Sequence, residues 1–149
     1  IRQLSQSLVP PTLGDLGLAE SVQDLCDALK RAHKFNIEFN SRHFFEEEIP
    51  ENLRLSLFRI IQEKISNIIR HADATHISIK LQTDAEHIFL TITDNGKGFD
   101  PRNVKAGLGL SNIRTRTALF NGKMEIESAP GVGCTLSVII PHHRESDGD

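Results

Sequence analysis

The sequence predicts an α+β fold, a two-layer α/β sandwich built as one domain. Three features of the chain predict it. Its 149 residues match the size of a single ordinary domain with one core. Two long segments repeat apolar residues at helical spacing, and five short segments alternate apolar with polar residues at strand spacing, with turn residues between them. Residues of the AVILMFWYC set make up 38% of the chain, and the 10 glycines bring the sum into the globular range, which excludes global disorder.

Ile1, Leu4 and Leu8 recur at steps of 3 and 4 until Pro10 and Pro11 cut the pattern, as at a helix end followed by a connector. From Leu16 to about His33, the residues Leu18, Val22, Leu25, Leu29 and Ala32 place one apolar stripe on a core-facing helix. Phe35, Ile37 and Phe39 alternate as a strand, and the acidic run Glu46 to Glu48 reads as a solvated loop. Beyond Pro50, the stripe Leu57, Ile61, Ile65, Ile68 and Ala72 predicts a second helix that ends near His71 to Asp73. Ile77, Ile79 and Leu81, then Ile88, Leu90 and Ile92, form the two arms of an antiparallel hairpin with its turn at Thr83 to His87. A glycine-rich loop from Asp94 to Gly109 leads into a helix from Leu110 to Phe120, closed by Asn121 and Gly122. The last two strands, Lys123 to Ser128 and Cys134 to Pro141, flank the turn Ala129-Pro130-Gly131-Val132-Gly133, and a polar tail runs from His142 to Asp149.

Charge and cysteine usage remove several function classes. The 17 Lys and Arg residues against 20 Asp and Glu give a net charge of −3, and no stretch concentrates positive charge as a nucleic-acid binder requires. Cys26 and Cys134, with no CxxC spacing, suggest neither a disulfide framework nor a zinc site, and they fit a reducing, cytoplasmic compartment. No apolar run approaches a membrane span, so no direct membrane contact is expected of this chain. The chain opens without methionine and in mid-pattern, as a piece of a longer protein would.

On the second helix, Glu63, Asn67 and Arg70 lie together opposite the apolar stripe. Spacing alone reads them as a solvated polar face with an i,i+4 pair. A sharper alternative is chemical. An Asn oxygen suits Mg²⁺, which keeps several waters and takes its remaining ligands from phosphates, and a carboxylate one turn away can handle a proton. His71, at the helix end, first reads as a complement to the helix dipole.

Asp94-Asn95-Gly96-Lys97-Gly98-Phe99 follows the strand in which Ile88, Leu90 and Ile92 share a face, so alternation carries Asp94 to the same inward side. Asp-Asn-Gly is also a common turn. A buried carboxylate needs hydrogen-bond donors, and the exocyclic amine of adenine is one of suitable size. Gly107-Leu108-Gly109-Leu110 enters a helix, where backbone N–H groups and the dipole can hold phosphate oxygens, although neither a dinucleotide fingerprint nor a Walker A loop is present. Lys97, Arg102 and Lys105 could approach such phosphates, yet each reads first as a solvated loop charge. Gly131-Val132-Gly133-Cys134-Thr135 brings a hydroxyl to the start of the last strand.

In order, Glu63-x-x-x-Asn67-x-x-Arg70-His71, Asp94-x-Gly96-x-Gly98, Gly107-x-Gly109 and Gly131-x-Gly133-x-Thr135 closely resemble the boxes of the GHKL ATPases. That superfamily includes gyrase, the 90 kDa heat-shock chaperones, histidine kinases and the MutL repair proteins. Phe58 to Glu63, Arg70 to Ala72 and Gly107 to Arg114 look like the catalytic domain of bacterial two-component sensor histidine kinases, in the short-lid subgroup of nitrate and membrane-fluidity sensors.

The resemblance implies a Bergerat-type fold, with a mixed, mainly antiparallel sheet packed against three helices, that binds ATP and Mg²⁺. It implies proton handling by Glu63, Mg²⁺ ligation by Asn67 and adenine recognition by Asp94. Gly96 and Gly98 would shape the base pocket, with Thr135 beside the base. Arg70, His71, Lys105, Gly107, Leu108, Gly109 and Leu110 would complete the nucleotide site. Residues 1–15 would be the end of a dimerisation helix and its hinge, 16–141 the catalytic domain and 142–149 the tail. Val9 and Gly14 depart from the Arg and Asp usual in such hinges. The phosphoacceptor histidine would lie upstream, in a homodimeric parent for which the resemblance leaves inner-membrane anchoring open, and a response regulator would be the onward partner. A serine kinase of the anti-sigma type, an ATP hydrolase and a non-catalytic binding module are the alternatives on the same fold.

Overall fold

The computed structural model describes residues 11–33, 36–103 and 110–142. The expectations for Ile1 to Pro10, Phe35, Lys105, Gly107 to Gly109 and the tail from His143 onward lie outside them.

Helix α2, Glu51–His71, is the central support of the site. It starts directly after Pro50, carries Glu51 in its first turn and Arg70 and His71 in its last, the charge order the helix dipole favours. Leu57, Ile61, Ile65 and Ile68 are buried as the stripe requires, joined by Leu53, Phe58 and Ile60. Burial of each such side chain contributes about 1.5–3 kcal/mol.

Among the described residues the sheet has five strands. Strands β2, His76–Thr83, and β3, His87–Asp94, form the expected hairpin, with Ile79 opposite Ile92 and Leu81 opposite Leu90. In its turn, the Asp84 carboxylate accepts the N–H groups of Glu86 and His87 at 2.8 and 2.7 Å, and these bonds hold the carboxyl below its usual pKa. Strand β1, Asn36–His43, adds in parallel along β2; β5, Gly133–Pro141, pairs antiparallel with β3, and β4, Lys123–Ala129, closes the other edge. The spatial order is β1-β2-β3-β5-β4. One face buries Ile77, Ile79, Leu81, Ile88, Leu90, Ile92, Leu136, Val138 and Ile140 under the helices. The layers are those of a mixed, mainly antiparallel sheet covered on one side.

Helix α3, Leu110–Ala118, turns Ile113 and Thr117 inward and ends two residues before the predicted Phe120. Asn121 takes the left-handed conformation at φ 59°, and the Gly122 N–H closes on the Thr117 carbonyl at 3.0 Å. His142, expected in the frayed tail, is instead buried, and its N–H donates to the Glu86 carbonyl at 2.7 Å.

Helix α1, Pro11–His33, is broken by Gly17 at φ 87°, ψ 178°, so its regular part begins one residue beyond that break. Cys26 joins Leu18, Val22 and Leu29 in its buried stripe, while Ala32 is exposed. The acidic run corrects the sequence expectation, because Glu46 is not simply a solvated loop residue. Its carboxylate accepts the Leu18 and Ala19 N–H groups at 2.6 and 3.0 Å and so caps the helix from 28 residues away in sequence. Arg54 on α2 meets the same carboxylate at 3.5 Å. A Cβ on Gly17 would overlap the Glu46 carboxylate. Its backbone region is essentially reserved for glycine, with a cost of about 1–3 kcal/mol for other residues. Gly17→Ala is therefore expected to lower unfolding stability by about 2 kcal/mol; urea denaturation checks this, and an unchanged midpoint would show that the α1 break is not held as described.

Candidate functional site

The end of β3 delivers Asp94 to the covered face, where it pairs in register with Ile77 on one side and Cys134 on the other. The residue is only 4% exposed. Its Oδ1 accepts the Gly96 N–H at 2.8 Å, so the common turn and the inward carboxylate are both realised in one residue. Asn95 faces the other way: its Oδ1 accepts the N–H groups of Thr75 and His76, each at 2.9 Å, and its Nδ2 donates to Thr75 Oγ1. The loop is thereby tied to the connection that follows α2.

The next residues stitch three elements together. The Lys97 N–H donates to the Ala72 carbonyl at 2.7 Å, and the Lys97 carbonyl accepts the Gly131 N–H at 2.6 Å. Ser128 Oγ accepts the Phe99 N–H at 3.0 Å and donates to the Gly133 carbonyl at 2.7 Å. Glycine is required where these backbones nearly touch. A Cβ on Gly96 would overlap the Ala72 carbonyl, and one on Gly98, at φ 65°, would overlap that of Ala129. These glycines let the end of α2, the end of β3 and the β4–β5 turn converge around Asp94.

The α2 side of the site differs from the expected polar face. Arg70 and His71 are exposed, with Arg70 Nε donating to the Ser66 carbonyl at 3.4 Å, and Glu63 is half-buried. Asn67, by contrast, is not solvated. It is 4% exposed, and its Oδ1 has no hydrogen-bond partner among the described residues. Buried amide oxygens are ordinarily satisfied, so an acceptor with no partner among the described residues is a candidate for ligation. A hard cation or its water shell fits that requirement.

Thr135 requires a correction. Its Oγ1 lies 3.3 Å from Thr93 Oγ1 on the opposite face of the sheet, because it stands one residue out of phase with the buried Leu136, Val138 and Ile140. The residue that shares Asp94's face is Cys134. Carrying the β5 alternation back from Leu136 by two places was enough to find it. Lys64 was missed as well. It stands three residues after Ile61 and four before Ile68, on the apolar stripe itself, and is 3% exposed. Its Nζ lies 3.3 Å from Cys134 Sγ and 6.0 Å from the centroid of the Phe99 ring. Burial pushes the Cys134 thiol pKa up, against the neighbouring Lys64 ammonium that pulls it down.

Of the loop cations, Lys97 is exposed and Arg102 forks onto Asp100, with Nε 3.2 Å from Oδ1. Leu110 opens α3 and packs half-buried against the core. Lys105, Gly107, Leu108 and Gly109 precede it outside the described residues.

Residues 52–144 match the family of histidine kinase-, DNA gyrase B- and HSP90-like ATPases, and the chain belongs to that family. Sensor protein VraS of Staphylococcus haemolyticus is 32% identical over 150 aligned positions, which cover 100% of this chain and 42% of VraS. Sensor histidine kinase LiaS of Bacillus subtilis is 32% identical over the same span, covering 100% of this chain and 41% of LiaS. Among solved structures, the catalytic domain of histidine kinase ThkA superposes with a TM-score of 0.65 at 18% identity, over 86% of this chain and 92% of that domain. The structural likeness shows the fold. The chain spans about two-fifths of the length of these curated relatives. No helix among the described residues is long and apolar enough to cross a membrane.

Proposed function

We propose that this chain is the ATP-binding catalytic domain of a sensor histidine kinase, delivering the γ-phosphoryl group to a histidine on a separate dimerisation domain for relay to a response-regulator aspartate. The observation that supports it most is the presence of both a buried, turn-locked Asp94 carboxylate and a buried Asn67 oxygen that has no partner among the described residues. Asp94 Oδ1 is engaged by its own loop, and in this reading Oδ2 accepts from the exocyclic amine of adenine. Asn67 Oδ1 would hold Mg²⁺, whose contribution when bound is to neutralise phosphate charge during transfer. Glu63, one turn before Asn67, orients the attacking group and takes its proton. Arg70 and His71 at the end of α2, together with Lys105 and the Gly107-Leu108-Gly109-Leu110 entry to α3, bind the phosphates. Gly96 and Gly98 close the loop over the base. In this reading the parent is a cytoplasm-facing homodimer.

The test is a nucleotide titration followed by transfer in trans. ATP should bind more tightly with Mg²⁺, and phosphohistidine should form only when a histidine-bearing dimerisation domain is added. Acid-labile, base-resistant phosphate accumulating on the isolated chain would overturn this assignment. Asn67→Ala should abolish the magnesium enhancement of ATP affinity in protein that circular dichroism shows to be folded. Equal magnesium stimulation in variant and wild type would reject the metal role.

A further inference from the structure

Lys64 is a buried cation that the site described so far does not use. The residue is 3% exposed, and its ammonium meets no carboxylate among the described residues. Its hydrogen bond goes to Cys134 Sγ at 3.3 Å, a weak acceptor, while the Phe99 ring lies 6.0 Å away. An ammonium carries three donors, and leaving them without good acceptors away from water is costly. Its position is specific. Cys134 is the register partner of Asp94, so Lys64 and Asp94 approach the same sulfur-bearing position from the helix layer and from the sheet. Asp94 offers an acceptor and Lys64 a donor on the same side of the sheet.

That arrangement is complementary to one edge of a 6-aminopurine, where the exocyclic amine donates and a flanking ring nitrogen accepts. We propose that Lys64 is a specificity-determining residue of the base pocket, donating from Nζ to a ring nitrogen beside the amine that Asp94 accepts. This rests on the assignment of the Asp94 pocket to the adenine base. A ring nitrogen is a better acceptor than a thiol, so base binding satisfies a donor that Cys134 serves poorly.

The experiment uses the unaltered chain first. ATP, 1-deaza-ATP and 7-deaza-ATP, in which a C–H replaces one ring nitrogen flanking the amine, are titrated by calorimetry. One of the two analogues should bind about 10-fold or more weakly than ATP, the effect of losing a charge-assisted hydrogen bond. Lys64→Met keeps length and apolar contact while removing the donors. In that variant, with folding confirmed by circular dichroism, ATP and the discriminated analogue should bind within about twofold of each other. Unchanged discrimination in Lys64→Met, or no discrimination by the wild-type chain, overturns the role of Lys64. A purely structural lysine would alter stability without altering the ratio between analogues. Failure of the wild-type chain to bind ATP at all would instead overturn the nucleotide-site assignment on which this inference rests.

Discussion

Asp94→Ala is expected to weaken ATP binding by about 10- to 150-fold, the equivalent of one charge-assisted hydrogen bond in a buried site. The side chain sits at the end of β3 with its Oδ1 on the Gly96 N–H, so the substitution also removes a local turn bond worth about 1 kcal/mol. The two effects separate cleanly. Loss of the turn bond lowers the urea midpoint, whereas loss of the base contact appears in calorimetry on protein shown to be folded. Asp94→Asn keeps the size but places a donor where adenine also donates, unless the amide turns its oxygen to the base. Binding by folded Asp94→Ala within about twofold of wild type, a difference below roughly 0.4 kcal/mol, would reduce Asp94 to a turn residue.

The second large effect belongs to Gly133, and Gly131 is its internal control. Both glycines hold φ at 84°, so both alanine variants incur a similar backbone cost of about 1–3 kcal/mol. Their surroundings differ. A Cβ on Gly131 would meet nothing within 4 Å, whereas one on Gly133 would overlap the Asp94 carbonyl, a backbone atom that cannot swing aside. Gly133→Ala should therefore cost about 1–3 kcal/mol more than Gly131→Ala, the usual range for forced overpacking. Because the atom displaced is that of Asp94 itself, only Gly133→Ala should also weaken ATP binding. Equal melting temperatures for the two variants would mean that the β4–β5 turn does not press on the Asp94 loop.

Much of the architecture could be read from the chain because periodicity reports the burial of an element's own faces. The Leu57, Ile61, Ile65, Ile68 stripe defined α2, and the alternations through Ile79 and Leu90 defined the hairpin and turned Asp94 inward. What periodicity could not decide was contact between elements remote in sequence. Glu46 looked solvated because the N–H groups it caps belong to Leu18 and Ala19, 28 and 27 residues earlier. Lys64 and Cys134 lie 70 positions apart, and only the packing of α2 on β5 brings them together. Asn67 shows the same division. Its place opposite the apolar stripe was legible in the spacing, but spacing equates that face with solvent, whereas in the fold Asn67 itself is covered while Arg70 on the same face stays exposed. Thr135 was misplaced for a nearer reason: it was identified by motif position, while the one-residue phase of β5 decides which side chain faces the site. Periodicity and motif order reveal the elements, most of their inward faces and the family boxes. Which polar atoms lose water, and which of them lack a partner among the described residues, emerges only when the elements pack, because desolvation depends on every element around an atom and not on the element that carries it.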